Sequence, residues 1–216
     1  MKLAMWDMMF EAVGAPARHG ECELRALRGR PGLRMMCICS ALVLAGGCGT
    51  LRTIDKLEDG AGQQAAVIWQ RWIDSGGDIA AAVTWERKVA PGVTVAHIEA
   101  ALVSVAAEEN MRAVGELPLS KELEARIGQK QKFLKAYSYC TPATARMMVD
   151  FSPHMAAFLP CRIVVVEQED GLWMYTMNMD MMVNMGRKLP PALRTEARKV
   201  RDTVWKLMER GAKGEF

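Results

Sequence analysis

The spacing of apolar positions alternates between a helical and a strand period along this chain, and the switches mark out its elements. In QQAAVIWQRWIDSGG (63–77), Ile68 and Trp72 stand at i and i+4 beside Trp69 and Ile73, which predicts a short helix stopped by Gly76-Gly77. Its two tryptophans are expected to rest on the domain, with a membrane surface as the other support open to them. IAAAVTWERKVAPG (79–92) predicts a strand ending at Pro91-Gly92. Thr94 then begins a helix whose Val95, Ile98, Leu102 and Val105 form one apolar stripe, with His97 off that stripe and solvated.

MRAVGELPL (111–119) reads as a strand, Ser120 as the cap of a helical turn closed by Gly128, and KFLKAYSYC (132–140) as a strand. Thr141-Pro142 supplies an N-cap and a first-turn proline for a helix that runs to Pro153. FLPCRIVVVEQEDGLWMYTMNMDMM then predicts two strands around a two-residue turn at Asp170-Gly171. Cys161, Ile163 and Val165 share one face of the first strand. Trp173, Tyr175, Met177 and Met179 share a face of the second, opposite Leu172 and Met174. Asp180 is expected to cap MMVNMG, with Asn178 as a turn former. Finally, Pro191 opens a long helix carrying Leu193, Ala197, Val200, Val204, Leu207 and Met208, stopped by Gly211.

The order β-α-β-β-β-β-α predicts an α+β fold, a largely antiparallel sheet of about four to five strands with helices packed on one face. That domain is expected to span 79–216. Ahead of it, GTLRTIDKLEDGAG (49–62) is polar and broken by glycine, so residues 48–78 read as a tether followed by the short amphipathic helix.

The first 47 residues have a different character. Basic RGRPGLR (28–34), apolar MMCICSALVLAGG (35–47) and then Cys48 follow the order of a secretory signal, and the apolar run is shorter than the roughly 20 residues needed to span a bilayer. LAGGC (44–48) resembles a bacterial lipobox, with Ala45 where leucine is more usual. The resemblance implies lipidation of Cys48 and a protein held on the periplasmic side of a bacterial membrane, the outer membrane being favoured. The segment upstream of RGRPGLR is longer than a normal signal n-region, so translation is expected to start near that segment.

Composition narrows the function. Half the residues are apolar, a quarter are charged and the net charge is +3. Removing residues 1–47 takes away six Lys/Arg and four Asp/Glu, which leaves about +1. With no basic run interleaved with aromatics, nucleic acid is not an expected partner. No glycine-rich phosphate loop, HExxH, CxxC pair or GxSxG occurs. Processing would leave Cys140 and Cys161 as the two thiols of the mature chain, in an oxidising compartment.

The stretch from about 79 to 180 resembles the bacterial family called domain of unknown function 302. The likeness is carried by Cys140-Thr141-Pro142, LPCRIVVVE (159–167) and GLWMYTMNMD (171–180), with VGELPLS (114–120) and the closing LPPAL…RGAKGEF fitting a subgroup. It implies a TATA-binding-protein-like sheet and homodimers, and brings no established activity or catalytic set. The sheet it implies also puts the ends at 140 and 161 together, so that a disulfide is open to the two cysteines if their Cα atoms lie within about 7 Å.

The leading expectation is a lipid-anchored module that binds a small molecule or a protein partner, without catalysis of its own. Two other chemistries stay open. Cys140 precedes a helix N-terminus, where the dipole favours a thiolate, so thiol redox or sulfur handling at Cys140 and Cys161 is one. Cu(I) or haem binding through these cysteines, His154 and the dense methionines is the other, against a reading of the methionines as core filling. No cofactor or metal is assigned. Glu116, before Leu117-Pro118, has no assigned role.

Overall fold

The computed structural model describes residues 54–216. The expected signal-type segment and the expected lipidation at Cys48 lie outside the described residues. Five strands form one fully antiparallel sheet: β1 (Thr84–Lys88), β2 (Arg112–Leu117), β3 (Leu134–Cys140), β4 (Cys161–Gln168) and β5 (Gly171–Met177), in the spatial order β1-β5-β4-β3-β2. The α+β architecture expected from the pattern is therefore the one observed.

Alternation decides which face of the sheet is covered. Trp85, Tyr137, Tyr139, Ile163, Val165 and Met174 all point to one side and are buried. Helix α3 (Val95–Glu108) and the long α7 (Pro191–Lys213) lie on that side, contributing Ile98, Leu102 and Val105, and Val204, Leu207 and Met208. Both stripes repeat every three or four residues, as a helix seated on a sheet requires. Each such fully buried side chain contributes about 1.5–3 kcal/mol of transfer free energy. The α7 helix does not stop at Gly211 but at Gly214, whose left-handed φ of 67° ends it. Gly211 lies inside the helix, where a Cβ would stand 2.7 Å from the flexible end of the Met174 side chain.

The other face carries Lys88, Val164, Val166, Trp173, Tyr175 and Met177 and is only partly covered. Charged Glu86 and Lys88 mark the β1 edge, and a register shift between Ala113 and Gly115 breaks the β2 edge, two devices that discourage sheet-to-sheet pairing.

Several expectations change. The strand predicted over 79–92 is a short helix, α2 (Ile79–Val83), followed by β1, because Asp78 accepts hydrogen bonds from the N–H groups of Ala80 and Ala81 and so starts a helical turn. The β4–β5 turn is centred one residue earlier than expected, on Glu169-Asp170: Gln168 pairs with Gly171, which takes the positive φ. Ser120 does not cap its turn. It lies within α4 (Leu119–Ile127), buried, with its hydroxyl donating to the Leu134 carbonyl. His97 completes a capping box with Thr94, its Nδ1 accepting the Thr94 N–H.

The segment read as a tether is fixed to the domain from Leu57, which bridges to Arg187. Glu58 is buried and meets Leu189 and Arg194. Helix α1 (Ala61–Asp74) follows and divides its two tryptophans: Trp72 is half-buried, whereas Trp69 is 61% exposed and does not rest on the domain as expected. Among the described residues no helix is long and apolar enough to cross a membrane.

Candidate functional site

The two cysteines do come together. β3 ends at Cys140 and β4 begins at Cys161, and because the strands are antiparallel with Tyr139 opposite Cys161, the thiols are diagonal neighbours at one end of the sheet. Both are free. They line an inner nook of about 30 Å³ together with Tyr139, Thr144, Phe158 and five methionines, Met148, Met155, Met177, Met179 and Met182. That volume has room for about one water molecule.

The nook reverses the electrostatic expectation for Cys140. Helix α5 (Pro142–Phe151) does start beside it, yet burial pushes the Cys140 thiol up. Burial, and then the neighbouring Cys140, push Cys161 up to about 11. Desolvation of a thiolate in an apolar lining outweighs a helix dipole whose effect fades within one turn. Both groups are therefore protonated at neutral pH, the state of an unreactive cysteine.

His154 does not join them. It lies exposed on the 3-10 turn Pro153–Phe158, an element the pattern left as loop, and its neighbour Met155 rather than its imidazole lines the nook. Asn178, not Asp180, caps α6 (Met179–Asn184), accepting from the N–H groups of Asp180 and Met181. Asp180 instead faces Arg201 at 3.6 Å. Met179 belongs to that helix, not to β5, so its place in the nook comes from the strand-to-helix corner. Glu116 acquires a role: its carboxylate meets Lys135 at 2.6 Å, and Lys135 also holds Glu99 at 2.7 Å.

On the other side of Cys161 is a larger cleft of about 330 Å³. Val83 and Thr84, Phe158 and Pro160, and the open-face residues Arg162, Val164, Tyr175 and Met177 form its walls. The cleft and the nook share Phe158, Cys161, Met177 and Met179. Arg162 sits on the uncovered face across from Ser138, and among the described residues it has no carboxylate partner. Farther along that face Trp173 and Tyr175 stack, with ring centroids 6.3 Å apart and planes 17° from parallel. Lys88 lies over the Trp173 ring, and Asp170 accepts its indole N–H.

The cleft is not legible in the sequence because two of its walls, α2 and the 3-10 turn, are too short to set a period. The one usable signal was the uninterrupted apolar run in IVVV (163–166) of β4: a strand with apolar residues on both faces has something to do on its outer side.

A single antiparallel sheet with helices over one face, and a partly apolar cleft at one end of the other, defines an α+β protein. Among its described residues no group of three or more His, Cys, Asp or Glu is placed to hold a metal. The chain belongs to the DUF302 family: the family model described as "Domain of unknown function DUF302" matches residues 85–211, from β1 almost to the end of α7. Among solved structures it is similar to the crystal structure of an uncharacterized conserved protein DUF302 from Bacillus stearothermophilus, at 16% identity and a TM-score of 0.49, covering 59% of this chain and 97% of that one. No curated protein matches the chain.

Proposed function

We propose that this protein is a lipid-anchored module on the periplasmic side of a bacterial membrane that binds a small amphipathic anion. The lipid sits on Cys48, and the ligand occupies the cleft at the Cys161 end of the open sheet face. The observation that carries the reading is the cleft itself: about 330 Å³, mostly apolar, with the Arg162 guanidinium as the one cation among the described residues of its lining. Ligand sites of small molecules begin near that volume and combine apolar walls with a few orienting polar groups. A carboxylate or sulfonate pairs with the guanidinium fork, and a hydrocarbon or aromatic body lies along Val164, Tyr175 and Met177. Among the described residues no nucleophile–base pair adjoins the cleft, and binding is the chemistry its lining supports.

Titration with 1-anilinonaphthalene-8-sulfonate, an anionic amphipathic fluorophore, tests the site. Saturable binding that weakens about tenfold in Arg162→Gln, the loss of one charge-assisted contact, is the expected result. Equal affinity in both proteins overturns the site. The anchor is tested separately by the mass of the N-terminal peptide of membrane-extracted protein. A chain that keeps Met1 to Gly47 overturns the anchor.

One observation favours a second reading, Cu(I) binding in the inner nook. Seven sulfur-bearing residues line it, and thiolate and thioether ligands select Cu(I). His154 lies outside that lining, so the set would be sulfur alone. Competition against a Cu(I) chelator, with Cys161→Ser and Met177→Leu beside wild type, distinguishes this reading: affinity unchanged in both variants removes it. Thiol redox draws support from the adjacency of the cysteines and is opposed by their raised pKa values.

A further inference from the structure

We propose that helix α1 lies in the headgroup layer of an anionic phospholipid bilayer, with Trp69 and Ile73 inserted and a basic cluster at Lys56, Arg187 and Lys188 against the headgroups. The proposal rests on the lipid-anchored reading for the place where the bilayer is found.

Three faces of α1 carry the argument. Ala61, Gln64 and Ile68 face the domain, with Ala61 buried. Gln63, Gln70 and Asp74 form a polar face. Between them Trp69 and Ile73, one turn apart, are 61% and 53% exposed. Single exposed apolar residues are ordinary. Here, however, the two make a stripe, and the Trp69 ring packs against that of Trp72 at 5.0 Å. Tryptophan beside an apolar partner on one helix face is the composition of an interfacial helix.

Chain geometry says what covers the stripe. The chain is fixed to the domain from Leu57, which bridges to Arg187, and eight residues separate Leu57 from Cys48. Fully extended, that stretch reaches roughly 30 Å. A lipid on Cys48 therefore holds the bilayer within this distance of the point where α1 leaves the domain surface. The same point carries three exposed cations, Lys56, Arg187 and Lys188, brought together where the Lys188 N–H donates to the Lys56 carbonyl at 2.8 Å, against two exposed acids, Asp55 and Asp59. Asp59 stands 3.9 Å from the Lys188 ammonium, and the Arg187 guanidinium donates to the Phe151 carbonyl. The cations stand at the start of α1 and the Trp/Ile stripe in its second half, the two kinds of contact that anionic headgroups and acyl chains take. The stripe adds to the lipid a second membrane contact, one that fixes how the domain is turned.

The test uses the full chain, as wild type and as Trp69→Gln/Ile73→Gln, in vesicles of phosphatidylglycerol and phosphatidylethanolamine with brominated acyl chains. Both substituted residues are exposed, and matching circular dichroism confirms that the variant folds. Tryptophan emission of the wild type is expected to be quenched, with at least half of that quenching lost in the variant. In a Cys48→Ser background, where both proteins keep the same N-terminal segment, partition into vesicles is expected to fall about tenfold in the variant, in line with the apolar area withdrawn. Equal quenching in the two proteins overturns the proposal. So does a wild-type dimer that the variant loses while quenching is unchanged, which would assign the stripe to a second copy. A lipidated chain whose quenching ignores Trp69 and Ile73 sinks this inference and leaves the anchor, whereas an unlipidated chain whose quenching depends on them does the reverse.

Discussion

One oxygen of Glu58 accepts two hydrogen bonds from the far end of the chain, the Leu189 N–H at 2.6 Å and the Arg194 Nε at 3.2 Å, and the Arg194 Nη2 stands 3.0 Å from the same oxygen. Glu58 is buried, and its carboxylate is what turns a polar, glycine-broken segment into part of the domain.

Glu58→Ala leaves the Leu189 N–H and the Arg194 guanidinium without this partner. Orphaning a buried donor and half of a desolvated ion pair costs about 2–4 kcal/mol. The urea midpoint is expected to fall accordingly, with earlier proteolytic cleavage between residues 54 and 61. A variant as stable and as resistant as wild type would show that the contact does not fasten this segment.

Gly211 and Met174 allow a sharper test of packing. A Cβ at 211 would stand 2.7 Å from the Met174 Cε and 3.1 Å from its sulfur, and Met174 is fully buried. In Gly211→Ala, overpacking of about 1–3 kcal/mol is offset by about 1 kcal/mol of helix propensity, so only a small loss is expected. Gly211→Val adds two methyl groups and loses most of that propensity gain, so its loss is expected at about 3 kcal/mol or more. Thermal denaturation of the pair reads the difference. Equal stability of the two variants would mean that α7 has room to shift away from β5.

The raised thiols set an alkaline limit. In the unfolded chain Cys161 ionises near its ordinary value of about 8.5, while in the fold it holds its proton up to about 11. The stabilisation is thus complete below the unfolded value and is lost as pH rises through the folded one. The stability difference between wild type and Cys161→Ala is expected to change between about pH 8.5 and 11 and to stay flat between pH 6 and 8. At pH 7.5, both thiols are expected to react with a disulfide reagent more slowly than free cysteine. Rapid labelling of Cys140 would restore a redox reading.

The sheet and its covering were legible because they rest on periods that recur over many residues. The α7 stripe from Leu193 to Met208 and the Ile163/Val165 face of β4 could be read with no structure at hand. What the pattern missed is decided by single polar contacts between distant positions. Asp78 turns IAAAV into a helix, Asn178 takes the cap from Asp180, and Glu58 finds Arg194. The candidate site was legible only in half: an antiparallel sheet brings Cys140 and Cys161 together, but nothing in the one-dimensional pattern says that His154 turns away. The same holds for the polar cluster built on Tyr137, whose partners come from three elements.

That cluster gives the last prediction. Lys135, its side chain only 16% exposed, holds Glu99 at 2.7 Å and Glu116 at 2.6 Å, and the Tyr137 hydroxyl donates to Glu99 at 2.8 Å. Burial pushes the Glu99 carboxyl up, but the hydrogen bonds from Lys135 and Tyr137 outweigh it and leave the group below its usual range. A lowered carboxyl stabilises the fold above its unfolded value, about 4.3, and that contribution is lost as pH falls through the folded value. Lys135→Met leaves two carboxylates facing each other without their cation. A partly buried network lies between the exposed and buried limits for ion pairs, so a loss of about 1–2 kcal/mol at pH 7 is expected. The loss should shrink as pH falls through the Glu99 titration, because the protonated carboxyl no longer needs the ammonium. Tyr137→Phe removes one donor and should move the Glu99 titration upward by NMR. A Lys135→Met penalty that stayed constant from pH 7 to pH 3 would assign the side chain a packing role, with its four-carbon stem rather than its charge as what matters.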